Sequence, residues 1–335
     1  MFKGLKRIKN LFFILIVILF FLYLASRGQI FSPAELEYGV TFSKKQAVAL
    51  GFDWQKLYLS IFDDLGVKKI RLPAYWNEIE KTDGIYDWQD LDWQIEKASS
   101  RGAEIIFAVG GRLPRWPECH FPDWTKGFTK GRRQTKILDY LEKAVKRYQV
   151  NQQIIAWQIE NEPFLSHFGD CPKLDKEFLD EEIALVKNLD SRPIIITDSG
   201  ELSFWLPAAK RAEIFGTTMY LYTYSSHLKR YVNYPITPGF FRLKKNITNL
   251  FAKPREWLVI ELQAEPWGPK PYQYLAKAET DRTMNLEKFK KIIEFARQTG
   301  FRTFYLWGVE WWYYEMSQGR PEIWQEAKKL FTNNR

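Results

Sequence analysis

From about residue 36 onward, two hydrophobic patterns alternate along the chain. Short apolar runs rich in Val, Ile and aromatic residues are each followed by a stretch whose apolar positions recur at helical spacing. The short runs are Leu36–Phe42, Lys68–Leu72, Glu104–Val109, Ile154–Ile159, Pro193–Thr197, Ile214–Tyr220, Trp257–Ile260 and Phe301–Trp307. The helical stretches that follow them are Trp54–Leu65, Leu91–Arg101, Gln134–Tyr148, Lys176–Leu189, Phe204–Arg211, Leu243–Phe251, Leu286–Thr299 and Pro321–Phe331. Eight strand–helix units in roughly 300 residues predict an α/β fold of the (β/α)8 TIM-barrel type. A doubly wound open sheet is the competing arrangement. Its dinucleotide-binding form would want Gly-x-Gly-x-x-Gly after the first strand, where Gly39 stands alone.

The amino-terminal residues read differently. Leu11–Ala25 (LFFILIVILFFLYLA) is apolar all round, with Lys3, Lys6, Arg7 and Lys9 before it and Arg27 after it. Fifteen residues of helix span ~22 Å, short of a ~30 Å hydrocarbon core unless Asn10 and Ser26 extend it. A signal peptidase prefers small residues at −3 and −1, and cleavage after Ala25 would place Tyr23 at −3, so an uncleaved signal anchor is favoured over a signal peptide. The expected organisation is a basic cytoplasmic amino terminus (1–10), a transmembrane anchor (11–26), a tether (27–35) and a barrel (36–335). The basic residues before the apolar run predict a membrane-anchored protein with its barrel on the extracytoplasmic side, or a secreted one if the segment is cleaved.

This changes how the charge is read. The 335 residues carry a formal net charge of +9, and residues 1–30 hold five basic side chains and no acidic one. The rest carries only +4, which gives no ground for a nucleic-acid partner. Hydrophobic residues make up 46%, enough for a large core. Aromatic residues reach 17%, with 14 Trp. Trp54, Trp93 and Trp324 fall on predicted helices and read as core, whereas Trp76, Trp116, Trp124, Trp267, Trp307, Trp311 and Trp312 fall in predicted strand-end loops.

In a (β/α)8 barrel the chemistry sits at the carboxyl ends of the strands. Arg71 ends the second, Gly110-Gly111 the third, Glu160-Asn161-Glu162-Pro163 the fourth, Asp198 the fifth, Tyr220 the sixth, Glu261 the seventh and Trp307 the eighth. Glu162 and Glu261 thus face each other across the mouth. Two carboxyl groups about 5–5.5 Å apart can cleave a glycosidic bond with retention, one protonated and one ionised. Glu265, four residues beyond Glu261, competes for the nucleophile's place. Glu160 shares the parity of Glu162 and is expected lower in the barrel, in a buried structural ion pair that Arg71 would complete.

Trp157-Gln158-Ile159-Glu160-Asn161-Glu162-Pro163 resembles the strand-four motif of the glycoside hydrolase clan A barrels, which include the family 5 cellulases and mannanases. Leu258-Val259-Ile260-Glu261 resembles their strand-seven motif. The resemblance implies that Glu162 is the acid/base and Glu261 the nucleophile. It implies that Asn161 contacts the sugar 2-hydroxyl, that Arg71 and Tyr220 hold the nucleophile, and that Trp307 is a platform under the sugar. It covers residues 36–330. Two positions depart from family 5: Thr218-Met219-Tyr220 stands where His-x-Tyr is frequent, and Gly110-Gly111 where a histidine is frequent. Trp311 and Trp312 are further candidates for sugar stacking, because carbohydrate C–H faces pack on aromatic rings. The expected activity is a retaining glycosidase acting on a β-linked polysaccharide or oligosaccharide. A non-catalytic, membrane-anchored glycan-binding barrel is the alternative. No cofactor and no metal is called for.

Cys119 and Cys171 fall in the loops after the third and fourth strands. A disulfide, a Cys2His2 zinc site with His120 and His167, and two free thiols all fit that placement. Asn246-Ile247-Thr248 is a glycosylation sequon. Oligomeric state is not legible in the sequence.

Overall fold

The computed structural model describes residues 35–173 and 175–332. Leu11–Ala25, the segment read as a membrane anchor, lies outside them. Among the described residues no helix is long and apolar enough to cross a membrane.

Eight parallel strands close into a barrel. They are β1 (Glu37–Thr41), β2 (Lys69–Pro73), β3 (Glu104–Val109), β4 (Ile154–Ile159), β5 (Ile194–Asp198), β6 (Ile214–Met219), β9 (Glu256–Gln263) and β10 (Thr303–Trp307). β1 pairs with both β2 and β10, which completes the ring. An antiparallel hairpin, β7 (Tyr222–Ser225) and β8 (Arg230–Asn233), is inserted between β6 and β9. The eight predicted runs all appear as barrel strands, two with the predicted bounds and the rest shifted at an end by at most three residues; the hairpin was not expected.

The alternation along each strand divides its side chains between two cores. Ile106, Ala156, Ile195, Ile214, Leu258, Ile260 and Tyr305 fill the barrel interior. Ile70, Leu72, Phe107, Trp157, Ile159, Val259 and Leu262 belong to the larger core, the layer between strands and helices. Gly39 lies opposite Tyr305 on β10. A Cβ at Gly39 would come within 2.8 Å of the Tyr305 ring and 2.6 Å of the Lys69 carbonyl, so only glycine leaves room for this ring.

The helices are cut from the sequence by recognisable caps. Asp53 accepts from the backbone N–H groups of Gln55 and Lys56 at the start of the helix Trp54–Asp63. Asp175 accepts from Phe178 at the start of Lys176–Leu189, and Asn285 from Lys288 at the start of Leu286–Arg297. Each such cap satisfies donors that the first turn leaves open. One expected loop is a helix: Val309–Ser317 follows β10 directly and buries Trp311 and Trp312 completely.

Candidate active site

Arg71 stands on β2 between Ile70 and Leu72, so the pleat turns it to the barrel axis, where it is wholly buried. Each nitrogen of its guanidinium donates once. Nη1 donates to Glu261 Oε1 at 2.7 Å, Nη2 to Asn161 Oδ1 at 2.8 Å, and Nε to Gln158 Oε1 at 2.7 Å. The Tyr220 hydroxyl donates to the other oxygen of Glu261, Oε2, at 2.9 Å. Burial and the neighbouring Glu261 charge push the Tyr220 hydroxyl well above the ordinary tyrosine range, so it stays protonated and available as a donor. Glu261 therefore accepts from one cationic and one neutral donor.

Glu261 reaches this place through a bulge. Thr217 of β6 pairs with Val259, but Thr218 pairs with Glu261; on the other side Phe304 pairs with Val259 and Leu306 with Leu262. β9 thus carries one extra residue against both neighbours. Val259, Leu262 and Ala264 face the outer layer, while Ile260 joins the interior. Strict alternation would turn Glu261 outward with Val259. The bulge lets both Ile260 and Glu261 face in, which is the re-aiming such bulges produce.

Glu162 follows β4, with its N–H donating to Thr197 Oγ1 at 2.8 Å. It is buried, with a φ of +43°. Burial and the charge of Glu261 push its carboxyl well above the usual carboxylate range, with Glu118 adding to the effect. The two carboxyls thus stand in different surroundings: Glu261 is bound by a cation and a hydroxyl, and Glu162 is buried and pushed up.

Glu160 is buried and structural, but Arg71 is not its partner, which corrects the expectation. Its carboxylate accepts from the N–H groups of Gly111 (2.7 Å) and Arg112 (2.5 Å), and it shares a hydrogen bond with buried Glu182. The φ of +56° at Glu160 breaks the period-two alternation on which the expectation rested. Gly110 explains the missing strand-three histidine: a Cβ there would lie 2.5 Å from Glu160 Oε1, so the Glu160 carboxylate takes that space.

Trp307 ends β10 and is nearly buried. Its Nε1 donates to Glu265 at 2.8 Å, and the Arg115 guanidinium covers its ring at 4.1 Å. Glu265 is bound by Arg115 as well, and Arg115 Nη2 reaches Glu310 Oε2 at 2.7 Å. Glu265 thus sits in an ion-pair cluster beside the site, not on Arg71 and Tyr220. Trp311 and Trp312 are not available to a sugar: they are fully buried, and Trp312 Nε1 donates to the Ala264 carbonyl at 2.8 Å. Trp76 is likewise buried completely. The aromatic groups that do reach the mouth are others. Tyr220 meets Trp267 edge-on at 5.2 Å, Trp267 meets Phe168 at 5.6 Å, and Phe168 meets Trp116 at 6.2 Å, with Trp116 67% exposed.

Cys119 and Cys171 form a disulfide, with sulfurs 2.08 Å apart. This excludes both the zinc site and the free thiols. Glu118, Gln158 and Arg115 were not singled out from the sequence. Glu118 is buried, accepts from Asn161 Nδ2 at 3.0 Å, and lies 4.0 Å from Arg112 Nε. No local signal marks it, because its loop is placed by contacts distant in sequence.

A family model described as β-galactosidase (Glyco_hydro_42) matches residues 53–192. The match includes Arg71, Asn161 and Glu162 and ends before Glu261. The β-galactosidase BgaA of Clostridium cellulovorans is 28% identical over 174 residues, which are 45% of this chain and 26% of BgaA. The chain thus spans about a quarter of the length of this curated relative. Among solved structures, a catalytic mutant of Gan42B, a GH42 β-galactosidase from G. stearothermophilus, superposes with a TM-score of 0.60 at 12% identity, over 91% of this chain and 58% of that one. The exo-β-1,4-mannosidase Op5Man5 from Opitutaceae bacterium strain TAV5 gives 0.55 at 12% identity, over 90% and 62%. GH5_18 from Streptomyces cattleya gives 0.56 at 14% identity, over 81% and 70%. These structural likenesses concern the fold. The sequence matches show that residues 53–192 are similar to the β-galactosidase family model and that part of the chain is similar to BgaA, and a family 5 barrel is a structural neighbour.

Proposed function

We propose that the barrel is a retaining β-glycosidase with Glu261 as nucleophile and Glu162 as acid/base. One observation carries the reading: Arg71 and Tyr220 grip the two oxygens of Glu261, while burial and the Glu261 charge keep Glu162 protonated. Glu162 gives its proton to the leaving oxygen as Glu261 attacks the anomeric carbon. The bond formed is a glycosyl ester; the bond broken is the glycosidic C–O bond. Glu162, now ionised, takes a proton from water, which displaces Glu261 and regenerates both groups. The sequence relatives favour a terminal β-galactosyl unit as the first substrate to test. The basic residues before Leu11–Ala25 and the disulfide of the barrel both suit an anchored protein with its barrel in an oxidising, extracytoplasmic compartment.

The test is nitrophenol release from a panel of nitrophenyl β-glycosides, with the anomer formed first followed by NMR. A β product from a β substrate is expected. Glu261→Gln should abolish turnover, and Glu162→Ala should lower it by roughly 10²–10⁴-fold. Undiminished activity in either variant rejects the assignment. Glycan binding without release from any substrate would favour the non-catalytic barrel.

A further inference from the structure

Glu118 is a buried carboxyl that the proposed mechanism leaves without a task. It stands at the end of a chain of contacts. Its Oε2 accepts from Asn161 Nδ2 at 3.0 Å; Asn161 Oδ1 accepts from Arg71 Nη2 at 2.8 Å; Arg71 Nη1 donates to Glu261 Oε1 at 2.7 Å. An amide has a donor end and an acceptor end. With a carboxyl oxygen on one side and a guanidinium on the other, only one orientation of Asn161 satisfies both. The flipped amide would set its NH2 against Arg71 and its oxygen against Glu118, leaving buried groups unpaired.

The fold holds Glu118 firmly in this place. Its N–H donates to the Arg115 carbonyl at 2.8 Å, and its carbonyl accepts from Leu113 at 2.8 Å. Cys119, the next residue, is bonded to Cys171. Asp170 donates its N–H to the Pro117 carbonyl at 2.9 Å. Gly169 makes room for it, since a Cβ there would lie 2.7 Å from Glu118 Cβ. Glu118 has a φ of +73°, a conformation that costs a non-glycine residue about 1 kcal/mol or more and persists where the surroundings over-determine it.

We infer that Glu118 is a positioning residue of the site, held by the disulfide-linked loops after β3 and β4, which orients Asn161 and through it aligns Arg71 on Glu261. The inference rests on the glycosidase reading for its kinetic consequence, though not for its structural one. Burial pushes the Glu118 carboxyl up to about 8. Near neutral pH it therefore supplies a hydrogen bond without bringing a third full charge beside Glu261. Above that range it ionises and opposes the ionisation of Glu162.

The test compares Glu118→Ala and Glu118→Gln in the full chain. Gln keeps an acceptor for Asn161 and should leave kcat within about threefold, while moving the alkaline limb of kcat/KM to lower pH, because a negative neighbour of Glu162 is lost. Ala should lower kcat by about tenfold or more with a smaller change in KM. Cys119→Ser with Cys171→Ser should move kcat in the same direction as Ala. A purely structural residue would lower the melting temperature without separating Gln from Ala or moving the limb. Both variants within about twofold of the parent, with an unmoved pH profile, overturn the inference. If the parent chain releases nitrophenol from no glycoside, the glycosidase reading fails and the crystal structure of Glu118→Ala decides. A turned Asn161 amide or a broken Arg71–Glu261 contact supports the inference, and an unchanged arrangement overturns it. Should Glu118→Ala not fold, Glu118→Ser, too short to reach Asn161, replaces it in both measurements.

Discussion

Arg115 joins three side chains from two neighbouring segments at the mouth of the barrel. One guanidinium pairs with Glu265 and Glu310 and lies over the Trp307 ring. Glu310 also accepts from the Ser43 N–H at 2.5 Å, so the cluster ties the loop after β1 to the helix after β10. Removing the cation would leave two buried carboxyls without a counter-charge, a loss of about 3–5 kcal/mol. Arg115→Ala is therefore expected to shift the urea midpoint sharply downward, and a midpoint equal to the parent's would show that the cluster contributes no stability. The same geometry separates the two candidate nucleophiles. Glu265→Gln should keep measurable nitrophenyl glycoside turnover, since Arg71 and Tyr220 bind Glu261 and not Glu265. Glu162, Glu261, Arg71, Asn161 and Tyr220 were legible as candidates because each lies in or just after a run that local alternation predicts as a strand, within motifs that resemble those of the clan A barrels. Arg115 and Glu118 were not, because the loop carrying them is placed by a disulfide, by Trp307 and by residues that follow β1, β9 and β10, none of which local spacing reveals.

At the scale of elements, the eight barrel strands were legible because each is a short apolar run between polar stretches. What escaped was departure from regularity. Leu258-Val259-Ile260 reads as an unbroken strand, and nothing local marks the extra residue that turns Glu261 inward. The helix Val309–Ser317 escaped because its first four residues, Val309 to Trp312, are all buried, without the apolar spacing of an amphipathic helix. The aromatic wall at the mouth also draws on separate elements. Trp116 and Phe168 each stand three residues before a cysteine of the disulfide, and Trp267 comes from the loop after β9. Such a wall, running outward from Tyr220, offers stacking to further sugar units of a longer chain. Trp116→Ala is expected to raise KM for β-linked oligosaccharides several-fold, roughly 1 kcal/mol of lost stacking, with little effect on a nitrophenyl monoglycoside. Since Trp116 is exposed, stability should stay within about 0.5 kcal/mol. Equal effects on long and short substrates would show that the wall does not contact the chain.

The whole molecule concentrates buried carboxyl groups at one end of the barrel, and its stability should record this. Burial pushes Glu118 up to about 8, Glu201 to about 7 and Asp198 to about 6, and also raises Glu160, Glu162 and Glu182. In the unfolded chain such groups lose their protons near pH 4. Between pH 5 and 8 the fold therefore binds more protons than the unfolded chain, and stability falls as pH rises. His120 acts in the opposite sense. Burial and Lys45 lower it to about 3, so it contributes a gain as pH rises toward its unfolded value near 6.5, but it is one group against several. The lowered surface carboxylates, such as Asp175, which Lys130 and Gln134 hold below the usual carboxylate range, contribute stability that is lost only as pH falls below about 4. Lys244, lowered to about 8, acts above the window. The melting temperature at constant ionic strength should thus be highest near pH 5 and lower by roughly 3 °C or more at pH 8. Glu118→Gln should flatten the curve between about pH 5 and 8, where the fold holds the Glu118 proton that the unfolded chain has lost. A melting temperature that climbs steadily from pH 5 to 8 would mean that these carboxyls are ionised in the fold, and with them Glu162, which the proposed chemistry needs protonated.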